Sequence, residues 1–209
     1  HNGNLTESGS FNPGFSNRLL RYGDGFFESI RAEMTKALWW ESHYQRIKES
    51  ALMLGMDLAR LPDSAVLHEE IAKLLIKNNH QASARVRLTV YRGGGGLYRS
   101  ESDTPGFFIE SDSLDGPGYD INPRGLLVDV FSDVPKPINA LSGFKTANAL
   151  IYVLAANHAR KSGLDDCLLL NTDGFLAEAC SSNLFMVMDG KILTPGPDQG
   201  CVMGIMRRQ

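Results

Sequence analysis

Residues 25–33, Gly-Phe-Phe-Glu-Ser-Ile-Arg-Ala-Glu, alternate apolar and polar positions loosely with a period of two and predict a strand, with a second short one over 38–41. The spacing then turns helical. Ser42 is read as the N-cap of a helix running to about Met56, with Tyr44, Ile47, Ala51, Leu52 and Leu54 on its apolar side and Gly55 near its end. A second amphipathic helix is predicted over 63–78, carrying Val66, Ile71, Leu74 and Leu75. Residues 84–92 alternate cleanly as a strand that stops at the glycines 93–96. Past a segment rich in turn residues, strands are predicted over 126–131, 166–170, 175–179 and 184–188, with a Pro-rich loop at 135–137 and a long helix following Lys145. Asn171-Thr172-Asp173-Gly174 and Asp189-Gly190 are hairpin-type turns between these strands.

Strands and helices alternate without a steady βαβ rhythm, so the expected class is α+β with antiparallel sheets. Gly116, Pro117, Gly118 and Pro123 mark residues 113–124 as a linker between an N-terminal α/β domain, 1–112, and a C-terminal one, 125–209. A length of 209 residues suits one large domain or two small ones. With 43% hydrophobic and 22% charged residues the chain reads as globular rather than disordered. A net charge of -3 with scattered cations argues against nucleic-acid or membrane-surface binding. Cys167, Cys180 and Cys201 are odd in number and form no CxxC pair, which suggests reduced, mostly buried thiols in a cytoplasmic protein. His1 in place of an initiator suggests a processed or truncated start.

The glycines 93–96 lack the lysine of a P-loop and the spacing of a dinucleotide fingerprint, and read as a mobile loop. The five histidines show no metal-ligand spacing. Lys145 carries more. It precedes residues 146–156, apolar on almost every face, and such a helix is expected to be buried. A lysine at a buried helix N-terminus is desolvated and meets the positive end of the dipole, and both favour the neutral, nucleophilic amine. An ordinary lysine with its head in solvent is the alternative. Glu178 lies in an apolar strand, where a carboxylate either faces outward or needs a partner such as a pyridinium nitrogen. Arg46, on the first helix, is suited to a fork-like phosphate contact or to plain solvation, and Gly204-Ile205-Met206 could offer backbone amides to a phosphate.

In this order, five segments resemble the class IV aminotransferases, the fold-type IV enzymes that use pyridoxal 5'-phosphate (PLP). They are Tyr22-Gly23-Asp24-Gly25-Phe26-Phe27-Glu28; His43-Tyr44-Gln45-Arg46-Ile47; Lys145-Thr146-Ala147-Asn148; Glu178-Ala179-Cys180-Ser181-Ser182-Asn183-Leu184-Phe185; and Thr194-Pro195 through Gly204-Ile205-Met206-Arg207. The resemblance implies a small N-terminal α/β domain joined to a larger, barrel-like C-terminal α/β domain, with PLP in the cleft and a homodimer completing each site. It implies that Lys145 binds PLP covalently and shuttles protons, that Glu178 pairs with the pyridine nitrogen, and that Arg46 and the amides of Ile205 and Met206 hold the phosphate. Among family members, branched-chain aminotransferases have a cofactor-contacting tyrosine five residues after the lysine, where this chain has Leu150. The Thr194 to Arg207 segment looks most like 4-amino-4-deoxychorismate lyase, which eliminates pyruvate to leave 4-aminobenzoate. The expected activity is that lyase, with a small amino compound as substrate and an aminotransferase of branched-chain or D-amino acids as the rival. Phe27, Arg31 and Trp40 are the expected substrate contacts. Relatives continue with further helices where this chain stops, which suggests a cut C-terminus. That ending and residues 97–102 leave a non-catalytic binding protein as the remaining alternative.

Overall fold

The computed structural model describes residues 1–209 apart from positions 81 and 117; Pro117, read above as part of the linker, lies outside the described residues. The chain divides into two compact units, 1–118 with 146–148 and 119–145 with 149–209. Among the described residues no helix is long and apolar enough to cross a membrane.

The first unit is built on β1 (Gly25–Glu33), β2 (Lys36–Ala37), β3 (Ser83–Arg92) and β4 (Pro105–Leu114), ordered β2-β1-β3-β4 and antiparallel throughout. Helices α1 (Arg18–Tyr22), α2 (Trp40–Met53) and α3 (Ser64–Lys77) belong to the same unit. Alternation in β1 sends Phe26, Glu28, Ile30 and Ala32 inward, where the three apolar members join Ile47, Ala51, Leu67, Ile71 and Leu75 in one core. The α3 expectation holds nearly to the residue, with Asp63 and Asn78 as its caps. Two local expectations need correcting. The short strand lies at Lys36–Ala37, not over 38–41, and α2 starts at Trp40 with Trp39 as its cap in the left-handed region, φ 50°. Trp40 accounts for this: its ring is buried and its indole N–H donates to Ser64 Oγ at 2.9 Å, which fixes the helix start two residues before Ser42. Strand β4 was not foreseen, and it runs through residues 113–114, the start of the expected linker.

The glycine-rich loop after β3 is tied down by a side chain. The Arg18 guanidinium donates to the carbonyls of Gly95 (3.4 Å), Leu97 and Tyr98 (3.2 Å), and its Nε lies 2.7 Å from Asp24.

The second unit holds β5 (Val128–Lys136), β6 (Asp166–Asn171) and β7 (Leu176–Ala179) in that spatial order, helix α4 (Leu150–Ser162), and the hairpin β8 (Met186–Met188) and β9 (Lys191–Leu193). Among the described residues every strand pairing is antiparallel except β5 with β6. Pro135 is tolerated because β5 is an edge strand, and the register shifts between Phe131 and Lys136. The Asp189-Gly190 turn has both φ values positive, 51° and 71°, as a tight hairpin requires.

The helix after Lys145 departs most from expectation. It begins at Leu150, so Lys145 is not at its N-terminus. Thr146 instead makes an antiparallel bridge with Phe26, and the Ala147 amide donates to the Gly25 carbonyl at 2.9 Å; backbone spent on that pairing cannot be helical. Nor is α4 buried all round. It packs through Ala155 and Ala159, one turn apart, while Leu150, Val153 and Leu154 face outward.

Candidate functional site

Glu178 is the third residue of β7, opposite Leu169 of β6, and it points inward, only 3% exposed. A buried carboxylate is costly unless it is paired and hydrogen-bonded. Its partners come from three separate segments. Lys136, at the end of β5 and 4% exposed, donates its ammonium to Oε1. The Tyr152 hydroxyl, from α4, donates to the same oxygen at 2.7 Å, and the Val202 amide donates to Oε2 at 2.8 Å. Burial and then the adjacent Glu178 charge push the Tyr152 phenol well above its ordinary range, so it stays a donor. A carboxylate has about four lone-pair positions, and among the described residues three donors reach this one. By that count one acceptor position on Oε2 has no donor among the described residues.

The same backbone ties that serve Glu178 gather the other candidates of this unit. The Met203 amide donates to the Gly143 carbonyl at 3.0 Å, joining the stretch that ends at Lys145 to the stretch that carries Val202 and Gly204. Asn183, just past β7, donates from Nδ2 to the Val202 carbonyl at 2.8 Å. A Cβ on Gly204 would lie 1.9 Å from Asn183 Oδ1, so a side chain there would displace the Asn183 amide. Gly204 caps the four-residue helix α5 (Ile205–Arg208), in which Ile205 is buried and Met206 half exposed. Lys145 is half-buried in an irregular stretch. The structure thus brings together the segments of Lys145, Glu178, Ile205 and Met206. Tyr152 also lines a shallow depression with Ala149, Asp166, Cys180 and Ser181. Burial, then the hydrogen bond with Asp166, pushes the Cys180 thiol up to about 12.

Arg46 belongs to the first unit. It is 4% exposed and grips the inward-facing Glu28 as a fork, Nε to Oε1 at 2.7 Å and Nη2 to Oε2 at 2.6 Å. His43 Nδ1 lies 2.6 Å from the same Oε2. Burial by itself raises the Glu28 pKa, but the hydrogen bonds from His43 and Arg46 and the Arg46 charge outweigh it and leave the carboxyl below its ordinary range. Arg46 is therefore not the solvated helix arginine that the sequence left open.

The three expected substrate contacts separate. Phe27 and Arg31 share the face of β1 opposite the core; Arg87 lies over the Phe27 ring at 3.6 Å, and Arg31 Nη2 donates to Ser83 Oγ at 3.1 Å and the Gly116 carbonyl at 2.8 Å. Trp40 instead belongs to the core, packed against Tyr44 and His68. Sequence reasoning missed Glu28, Lys136 and Tyr152. Only for Glu28 was there a signal, since the β1 alternation that buries Phe26 and Ile30 also buries the residue between them.

The family model for class IV amino-transferases matches residues 25–209. The chain is 30% identical over 197 residues to a protein assigned as a branched-chain-amino-acid aminotransferase in Methanocaldococcus jannaschii, covering 90% of this chain and 64% of that one. It is 27% identical over 194 residues to the aminodeoxychorismate lyase of Vibrio harveyi, covering 92% and 69%. A solved branched-chain amino acid aminotransferase from T.th., complexed with N-(5'-phosphopyridoxyl)-L-glutamate, superposes with a TM-score of 0.83 at 25% identity, over 97% of this chain and 68% of that one. The chain spans just under two thirds of the length of the first of these relatives.

Proposed function

The chain belongs to the class IV aminotransferase family, and on that premise we propose that it is a PLP-dependent enzyme acting at the α-carbon of a small amino compound. The observation that carries this reading is Glu178: a buried carboxylate, gripped by three protein donors, with one acceptor position left for an N–H. The residues present fit PLP on their own chemistry. Gly204 carries no side chain and lies against the Asn183 side chain, which leaves the amides of Ile205 and Met206 uncovered by a residue at 204, as a phosphate cradle needs.

When bound, PLP supplies an electron sink for the bonds at the substrate α-carbon. Lys145 holds the cofactor and moves a proton at its Nζ. Glu178 keeps a ring N–H in place through Oε2, while Val202 and Tyr152 stop the carboxylate from turning. Arg46, oriented by Glu28, contributes a phosphate contact, and Ile205 and Met206 contribute backbone amides. Phe27 and Arg31 contact the substrate, with the Arg31 cation suited to a carboxylate; Trp40 supports the fold instead. The same reading includes a cytoplasmic homodimer, which light scattering of the purified protein tests.

Within the family, the reading is a lyase resembling the aminodeoxychorismate lyases. It rests on Leu150, which replaces the branched-chain tyrosine and whose side chain is largely exposed, and on the lyase-like segment from Thr194 to Arg207. The second reading, an aminotransferase, is favoured by the identity to the branched-chain relative. Product analysis decides. Purified protein is incubated with PLP and aminodeoxychorismate, or with branched-chain and D-amino acids plus 2-oxoglutarate. Formation of 4-aminobenzoate and pyruvate is expected; glutamate alone would establish the aminotransferase, and no product with any donor would remove both.

A further inference from the structure

The proposed chemistry leaves Lys136 without a task, although it is among the most deeply buried charges in the second unit. Its ammonium has three donors. One goes to Glu178 Oε1 and another to the Ser142 carbonyl at 3.2 Å, and the Tyr152 ring lies 5.4 Å away. The turn that supplies this carbonyl is locked: the Ser142 hydroxyl donates to the Pro137 carbonyl at 2.6 Å and accepts from the Asn139 amide at 2.9 Å. Lys136 is therefore a positive charge fixed against the carboxylate rather than a side chain free to swing to solvent.

We infer that Lys136 is a positioning residue for Glu178, holding the carboxylate oriented before any cofactor arrives, and limiting by its own charge how strongly Glu178 favours a protonated ring nitrogen. The inference rests on the proposed reading that Glu178 faces that nitrogen. The physical reason is a conflict of two demands. A buried carboxylate without a counter-charge is strongly destabilising, so the cofactor-free chain needs Lys136. A protonated ring nitrogen on the same carboxylate meets Lys136 as a like charge, which disfavours its charged form. Lys136 thus stabilises the empty site and moderates the filled one.

The test uses Lys136→Met, Lys136→Arg, Glu178→Gln and the Lys136→Met/Glu178→Gln double variant. Two properties are read: the Tm of the cofactor-free chain, and the pH midpoint of ring-nitrogen protonation, by NMR of bound PLP isotope-labelled at that nitrogen. Lys136→Met should lower the Tm by roughly 6–20 °C, and the double variant, with both charges gone, should recover most of that loss. In Lys136→Met the midpoint should rise by about one pH unit or more, at least roughly tenfold in the equilibrium, and Lys136→Arg should restore it to near the parent value. Glu178→Gln should lower it. A midpoint unmoved in Lys136→Met, while Glu178→Gln lowers it, overturns the role of Lys136. A midpoint unmoved in Glu178→Gln overturns the reading of Glu178 itself. Should Lys136→Met not fold, a folded double variant supports the pairing and an unfolded one overturns it.

Discussion

The two units each bury one carboxylate beside a cation, and the two pairs are built in opposite senses. In the first unit Glu28 comes from β1 and Arg46 from α2, two regular elements fixed by a large apolar core. The acid there serves the cation, spanning the guanidinium with both oxygens and orienting Arg46. In the second unit the cation serves the acid: Lys136, Tyr152 and Val202 converge on Glu178 from a strand end, a helix and an irregular stretch. The core around that site is smaller, with Phe131, Ala155, Ala159, Cys167 and Leu169 as its buried members. Both pairs join regular elements, but the first acid takes its donors from one helix and the second from a strand, a helix and an irregular stretch.

The strongest test of that contrast separates the two lysines of the second unit. Lys145→Ala should abolish turnover and covalent PLP attachment, and mass spectrometry after borohydride reduction should find pyridoxyl on Lys145 of the parent; finding it on Lys136 would reverse the roles assigned here. Next in size is Glu178→Gln, which is nearly isosteric. Turnover should fall by orders of magnitude even where PLP occupancy, read by absorbance, stays near full, and an unchanged rate at full occupancy would move Glu178 away from the ring.

On the other side of the comparison, Glu28→Gln should act through stability. It leaves Arg46 buried without its carboxylate, a loss of about 3–5 kcal/mol, measurable by urea unfolding. The pH dependence follows the same group. Its folded pKa is below the ordinary 4.5, so its contribution is complete above the unfolded value and is lost as pH falls through the folded one. The parent should lose stability on acidification below about pH 5 more steeply than Glu28→Gln; parallel curves would show that this carboxylate carries none of the acid sensitivity.

The smallest expected effect is at Arg46. The sequence alone suggests that Arg46→Ala weakens PLP retention far more than folding, but with Glu28 beneath it that change orphans a buried acid. Arg46→Lys keeps a charge and gives up the fork, so PLP affinity should fall about tenfold with a modest change in Tm; an unchanged affinity would leave Arg46 a purely structural residue.

The sequence by itself determined the elements whose periodicity is unambiguous. Strand β1, helix α3 and the Asp189-Gly190 turn follow from alternation, helical spacing and turn chemistry, all properties of neighbouring residues. The five ordered segments carry the family resemblance instead, and it is that resemblance that implies cofactor roles for Arg46, Lys145 and Glu178. Where the signal depended on distant partners it failed. The apolar run after Lys145 reads as a helix from its first residue, yet Thr146 and Ala147 pair with β1 and delay the helix to Leu150. Trp40 reads as a substrate contact until a core encloses it. The partners of Glu178 lie 42, 26 and 24 positions away along the chain. No local pattern marks them, because charge pairing in a buried site is set by which segments the fold brings together, and only the tertiary structure decides that.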